Sequence, residues 1–200
     1  MVRAGLVVGS GGNLSARVPG TDECWVTGAG TWLDRLDRAS FARVRIADGT
    51  TIGDAGCPPS SEVALHLATY RRRSDASAIV HLHPQTVLLL DALGVEIRLV
   101  TTDHVAYLRR IVTVPFRLPG TIELSDIAAD AVADGTNCVI LSHHGCSVVA
   151  DSVELAHKRA LYLEEAARLT YHALALGRLD TLADCPAEFV AAFESGTQAV

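Results

Sequence analysis

Ser77-Ala78-Ile79-Val80-His81-Leu82-His83-Pro84 is the stretch on which the reading of this chain turns. Its apolar residues predict a strand over 77–83, and Pro84 is placed to begin a helix that continues through Leu90. Side chains two apart on a strand project to one face, so His81 and His83 stand side by side while Leu82 turns into the core. Two such imidazoles can ligate one divalent ion. Taken alone, the tripeptide also reads as a pair of core or surface histidines at a strand end.

Working outward, the alternation of strand and helix recurs. Thr113-Val114-Pro115-Phe116 reads as a strand, Ser125 to Ala133 as a helix, and Asn137 to Ser142 as another apolar strand, ending at His143-His144-Gly145. A histidine beside a glycine can reach outward without crowding. A third imidazole from there would complete a three-nitrogen zinc site with an open position for substrate. Ser152 to about Leu176 predicts one long helix, with Ala156, Ala160, Leu163, Ala167 and Leu174 on one face and Glu164, Glu165 and Arg168 opposite or flanking.

Upstream, short strands are predicted at Leu14–Val18, Cys24–Thr27 and Arg43–Ile46, the last closed by the turn signal Asp48-Gly49. Pro58-Pro59 forbids a helix before Ser60, which can cap one running to about Arg73 with Val63, Leu67 and Tyr70 as its buried stripe. The sum is an α/β domain, with strands grouped early and strand–helix units later.

The 200 residues, 49% hydrophobic and 20% charged, suffice for one globular domain over 1–200 with a substantial core. With 17 basic against 23 acidic side chains, and no basic run longer than Arg71-Arg72-Arg73, there is no electrostatic footprint for nucleic acid. Five scattered cysteines suit neither a disulfide framework nor a thiolate zinc site, which points to a reducing cytoplasm. No apolar run has secretory-signal or membrane length.

Other candidates carry a bland reading beside the sharp one. Ser60-Ser61-Glu62 offers amides, hydroxyls and a carboxylate at a helix start, fit for an anion or simply an ordinary capped helix. Gly9-Ser10-Gly11-Gly12-Asn13 could wrap a phosphate, yet lacks the P-loop lysine and is otherwise a glycine turn. Cys146, among valines, reads as a small buried hydrophobe.

Four segments in register resemble the class II aldolase/adducin family: Gly11 to Arg17, Pro59-Ser60-Ser61-Glu62, Ile79 to Pro84, and Ser142-His143-His144-Gly145. The resemblance runs from about Gly9 to Leu176. It implies a three-layer α/β/α sandwich with a mixed, largely antiparallel central sheet. It also implies His81, His83 and His144 as ligands of zinc or another divalent metal, Glu62 as catalytic acid/base, and Gly12, Asn13, Gly30, Ser60 and Ser61 as holders of a substrate phosphate. The implied partner is a small sugar or sugar phosphate, and the implied assembly is a homotetramer with sites at subunit boundaries.

Three departures from the family pattern stand out. Thr27-Gly28-Ala29-Gly30 lacks the hydroxyl common at Ala29, the segment 103–110 lacks a glycine-rich end, and only a few residues precede the glycine loop where the family has a helix. His104 or Tyr107 is the candidate second acid/base, and about 180–200 is expected to be a variable tail.

The chemistry these types suggest is carbon–carbon cleavage through an enediolate, the cation stabilising its charge and Glu62 moving a proton. Glutamate at position 62 tilts the resemblance toward aldolase rather than epimerase chemistry. The rivals are a same-fold epimerase or sugar-acid-phosphate decarboxylase, a non-catalytic adducin-like interaction domain, and a structural zinc domain.

Overall fold

The computed structural model describes residues 1–53 and 56–195. Seven strands form one sheet: β1 Asn13–Arg17, β2 Glu23–Thr27, β3 Phe41–Arg45, β4 Ala78–Leu82, β5 Ile111–Val114, β6 Cys138–Leu141 and β7 Gly145–Ala150. Their order is β3-β2-β1-β4-β7-β6-β5, with β5–β6 parallel and the other pairs antiparallel. The expected mixed, largely antiparallel sheet is what forms. Six α-helices accompany it: α1 Val63–Arg72, α2 Gln85–Ala92, α3 Thr102–Leu108, α4 Ile122–Ala131, α5 Val153–Ala175 and α6 Ala187–Glu194.

Side-chain alternation divides the core into two faces. Val80, Leu82, Ile140, Cys146 and Val148 pack with α2 and α5; Ile79, Val139, Leu141 and Val149 pack with α1 and α4. Ala156, Ala160, Ala166 and Ala167 are fully buried on α5, so that long helix lies close on the sheet. The result is three layers, helices on both faces of the sheet.

Several local readings shift. α1 starts at Val63, because the Ser60 hydroxyl accepts from the Glu62 amide, one position before the helix. Its buried residues run from Leu65 through Tyr70 rather than along one stripe, since α4 packs against it on the same face of the sheet. The helix expected at 125–133 begins at Ile122, capped by Thr121. Ser152 caps α5 as its position suggests. α3 was not legible as a helix; Thr101 caps it, and the His104 ring accepts from the Val100 and Thr101 amides. The tail is partly ordered as a 3-10 turn, Leu179–Thr181, and α6; its residues 196–200 lie outside the described residues. Before the glycine loop stands a single 3-10 turn, Val2–Ala4.

Glu164 is a further difference. It is buried on α5 rather than flanking, and its carboxylate accepts from the Thr86 amide, the Thr86 hydroxyl and the Val87 amide at the start of α2. Pro84 precedes that helix and has no side chain to cap it, so α5 supplies the cap from across the core. Glu164→Ala leaves those amides buried and unpaired, and the expected loss is about 1–3 kcal/mol in urea unfolding.

Candidate active site and metal centre

β4 carries His81 between Asn13 of β1 and Ser147 of β7, its direct cross-strand partners. His83 follows the strand, held by a 3.1 Å hydrogen bond from its amide to the Leu6 carbonyl. His144 ends the three-residue turn between β6 and β7, where its amide donates to the Leu141 carbonyl. His143 takes a left-handed φ of 57° in that turn. Asp91 of α2 clasps the turn, accepting from the His143 amide at 2.7 Å and the Ser142 hydroxyl at 3.3 Å.

These elements bring together two imidazoles from β4 and its end and one from the β6–β7 turn, and bare backbone makes room for them.

 A Cβ on Gly145 would lie 2.6 Å from His83 Cδ2 and 3.1 Å from His81 Cε1; one on Gly12 would lie 2.7 Å from the His81 carbonyl; one on Gly11 would lie 3.1 Å from His83 Nδ1. Glycine is the residue that admits the rings there.

Ring centroids are 4.9 Å apart for His81 and His83, 4.8 Å for His81 and His144, and 5.4 Å for His83 and His144. The three Nε2-side donor sets face one another, with His81 and His83 Nε2 3.0 Å apart, and one ligand atom from each ring lies within 4.8 Å of the others. Glu62, just before α1, closes the group: Oε2 is 3.1 Å from His81 Nε2 and Oε1 is 3.1 Å from His144 Nε2. Burial pushes the Glu62 carboxyl pKa up, but hydrogen bonds from His144 and His81 and their charge outweigh it and hold the group well below the usual carboxylate range. Burial, with His81 and His144 beside it, pushes His83 down to about 4.

Three nitrogen lone pairs and a carboxylate converging with no cationic side chain among them is a donor set that fits a divalent cation. His81 is fully buried, whereas His83 and His144 are partly open, so the cluster is reachable from one side. His81 Nδ1 and Ser147 Oγ are buried without a hydrogen-bond partner, although their residues face each other across β4 and β7.

The loop 27–30 is stitched beside the start of α1. Ala29 N donates to the Pro58 carbonyl and Ser60 N to the Thr27 carbonyl, which sets Gly30 in the loop joined to Ser60 and Ser61. Ser60 is buried and Ser61 exposed. Asn13 donates through Nδ2 to Glu62 Oε2 at 3.0 Å and accepts from His66. That involvement of His66 is a feature the motifs did not reveal, although Glu62, His66 and Tyr70 stand at i, i+4 and i+8 on one helix face. His104 caps α3 and lies 3.5 Å from Glu165, and Tyr107 stacks on Tyr162, so both are engaged on the α5 side.

Residues 1–171 match the family described as Class II Aldolase and Adducin N-terminal domain. The chain is 34% identical over 164 residues to an L-fuculose phosphate aldolase of Methanocaldococcus jannaschii, covering 82% of this chain and 86% of that one. It is 33% identical over 172 residues to a 3-oxo-tetronate 4-phosphate decarboxylase of Escherichia coli, covering 84% and 79%. A solved L-fuculose 1-phosphate aldolase superposes with a TM-score of 0.84 at 25% identity, covering 96% of this chain and 90% of that one.

Gly145→Ala forces a methyl group into the His83 ring and the Leu82 carbonyl, and the expected result in a chelator competition is metal binding weakened about 10–100-fold. Burial also depresses His66, to about 3 against an ordinary 6.5. The unfolded chain therefore takes up a proton that the folded chain refuses, so stability is full above about pH 6.5 and falls as the pH drops toward 3. Urea unfolding of the parent and of His66→Gln at successive pH values should show the parent losing more, by at most about 1.4 kcal/mol per pH unit.

Proposed function

The chain belongs to the class II aldolase and adducin N-terminal domain family, and from that membership we propose a metal-dependent lyase that cleaves or forms a carbon–carbon bond in a small phosphorylated sugar. The observation that carries this reading is the convergence of His81, His83 and His144 with Glu62 at one partly open cluster. In this reading the three histidines hold zinc or another divalent ion, which when bound supplies a positive charge that stabilises negative charge developing on a substrate oxygen.

Glu62 carries the proton. Its carboxylate, held at Oε2 by the Asn13 amide, is the group that takes a proton from a substrate hydroxyl as the carbon–carbon bond beta to the carbonyl breaks, leaving an enediolate on the donor fragment. Gly12, Asn13, Gly30, Ser60 and Ser61 form the phosphate lobe, with Ser61 the most open hydroxyl and the glycines admitting the anion close to backbone. The missing hydroxyl at Ala29 makes that lobe leaner than the family pattern. Both named relatives act on phosphate esters, which supports a phosphorylated substrate.

Decarboxylation of a sugar-acid phosphate is the second reading, favoured by the 33% identity to the Escherichia coli decarboxylase. There Glu62, having taken a proton from water, would give it to the enediolate carbon left by loss of carbon dioxide. An adducin-like role without catalysis is disfavoured by the intact cluster. The five free cysteines support a reducing cytoplasm, and no helix among the described residues is long and apolar enough to cross a membrane. A homotetramer with sites at subunit boundaries completes the proposal.

Incubation of the zinc-loaded protein with phosphorylated ketoses should release an aldehyde and a dihydroxyacetone-phosphate-like fragment; release of carbon dioxide from a phosphorylated sugar acid instead would move the assignment to the decarboxylase. His81→Ala is expected to lose bound metal and turnover together. Glu62→Gln should keep the metal and lose about 10²–10⁴ in kcat, and an unchanged kcat there would remove Glu62 from the chemistry.

A further inference from the structure

We propose that His66 is a positioning residue for Glu62, acting through Asn13 along a one-way hydrogen-bond chain buried beneath the histidine cluster; the kinetic side of this proposal rests on the reading of Glu62 as the acid/base. The chain runs from Tyr70 Oη to Ser15 Oγ at 2.8 Å, from Ser15 Oγ to His66 Nδ1 at 2.7 Å, from His66 Nε2 to Asn13 Oδ1 at 2.5 Å, and from Asn13 Nδ2 to Glu62 Oε2 at 3.0 Å. Helix and strand contribute alternately. Four helical residues advance about 6 Å and two strand residues about 6.6 Å, so Glu62, His66 and Tyr70 interleave with Asn13 and Ser15.

The Asn13 amide fixes every direction: its Nδ2 lies on Glu62 Oε2 and its Oδ1, which can only accept, lies on His66. His66 Nε2 must then carry the hydrogen, leaving Nδ1 to accept from the Ser15 hydroxyl, whose oxygen in turn accepts from Tyr70. The Tyr70 ring is itself pinned, with the Arg17 guanidinium carbon 4.7 Å from its centroid. Asn13, Ser15, His66 and Tyr70 are all at most 5% exposed, so each bond in the series is sheltered from competing water.

An amide in the middle does not pass a proton along such a chain, so this is not a relay. Its effect is orientation. The neutral Nε2–H imidazole forbids the Asn13 amide from turning over, and the amide that cannot turn holds one Glu62 oxygen in place and donates to its charge. Packing alone does not ask for this arrangement, since apolar residues at 15, 66 and 70 would fill the same space between α1 and β1.

Two measurements on the full chain test it. Nitrogen-15 NMR of histidine-labelled protein at neutral pH should show His66 as the neutral Nε2–H tautomer with and without zinc; an Nδ1–H tautomer or an imidazolium overturns the proposal whatever the enzyme does. In the zinc-loaded enzyme, His66→Asn retains a partner for Ser15 but withdraws the donor from Asn13, whereas His66→Gln places an amide N–H where Nε2 stood. The expected kcat is about 10–100-fold lower for His66→Asn with KM and zinc content unchanged, and largely restored in His66→Gln. Equal kcat in His66→Asn and the parent, or equal loss in both variants, overturns it. Full turnover in Glu62→Gln would overturn the acid/base reading instead, and the tautomer would still decide the chain.

Discussion

The His81 carbonyl lies where a Cβ on Gly12 would have to go, and the His81 and His83 rings lie where one on Gly145 would, so that contact between imidazoles and bare backbone governs how the central strands meet. β1, β4 and β7 can run side by side with three rings at their ends because Gly11, Gly12 and Gly145 leave the space. The surrounding holds depend on the same approach. Leu6 receives the His83 amide, Asp91 clasps the turn that presents His144, and Glu164 fixes the helix that follows His83. None of these would place a ligand atom correctly if the strands stood further apart.

The sheet separates its duties by face. Toward α2 and α5 it is apolar, and alanines on α5 let helix and sheet lie close, which is where burial stabilises the fold. Toward α1 the apolar core is interrupted by Asn13, Ser15, His66, His81 and Ser147. Each buried polar group costs about 1–3 kcal/mol when left unpaired. Most of them are paired in series, so the cost is offset while the carboxylate at the end of the series is held.

Much of this was readable in advance because the period of a strand and a glycine beside a histidine are local signals. His81 and His83 declare themselves by alternation, His144 by the resemblance of Ser142-His143-His144-Gly145 to the family motif, and the long helix after Ser152 by its apolar stripe. What was not readable depended on partners distant in the chain. Glu164 looks like a surface residue until α2 is known to start under it. That the His104 ring caps α3 is likewise invisible until the Val100 and Thr101 amides are known to meet it. His66 gives no motif of its own, and its spacing from Glu62 and Tyr70 becomes meaningful only when β1 is known to pair with β4 and present Asn13 and Ser15 to that helix face.

The glycine contacts also divide the surroundings of the histidine cluster into a constrained part and an adjustable part. A side chain added at Gly12 or Gly145 collides with backbone or a ring, and one at Gly11 is tight against His83 and the Val8 carbonyl. Ala29 and Ser61 are exposed, whereas Gly30 keeps a φ of 72° that side-chain-bearing residues rarely adopt, although a Cβ there would meet no atom within 4 Å. Substitution at Ala29 or Ser61 therefore changes the surface beside the cluster while leaving the packing of the three rings as it is.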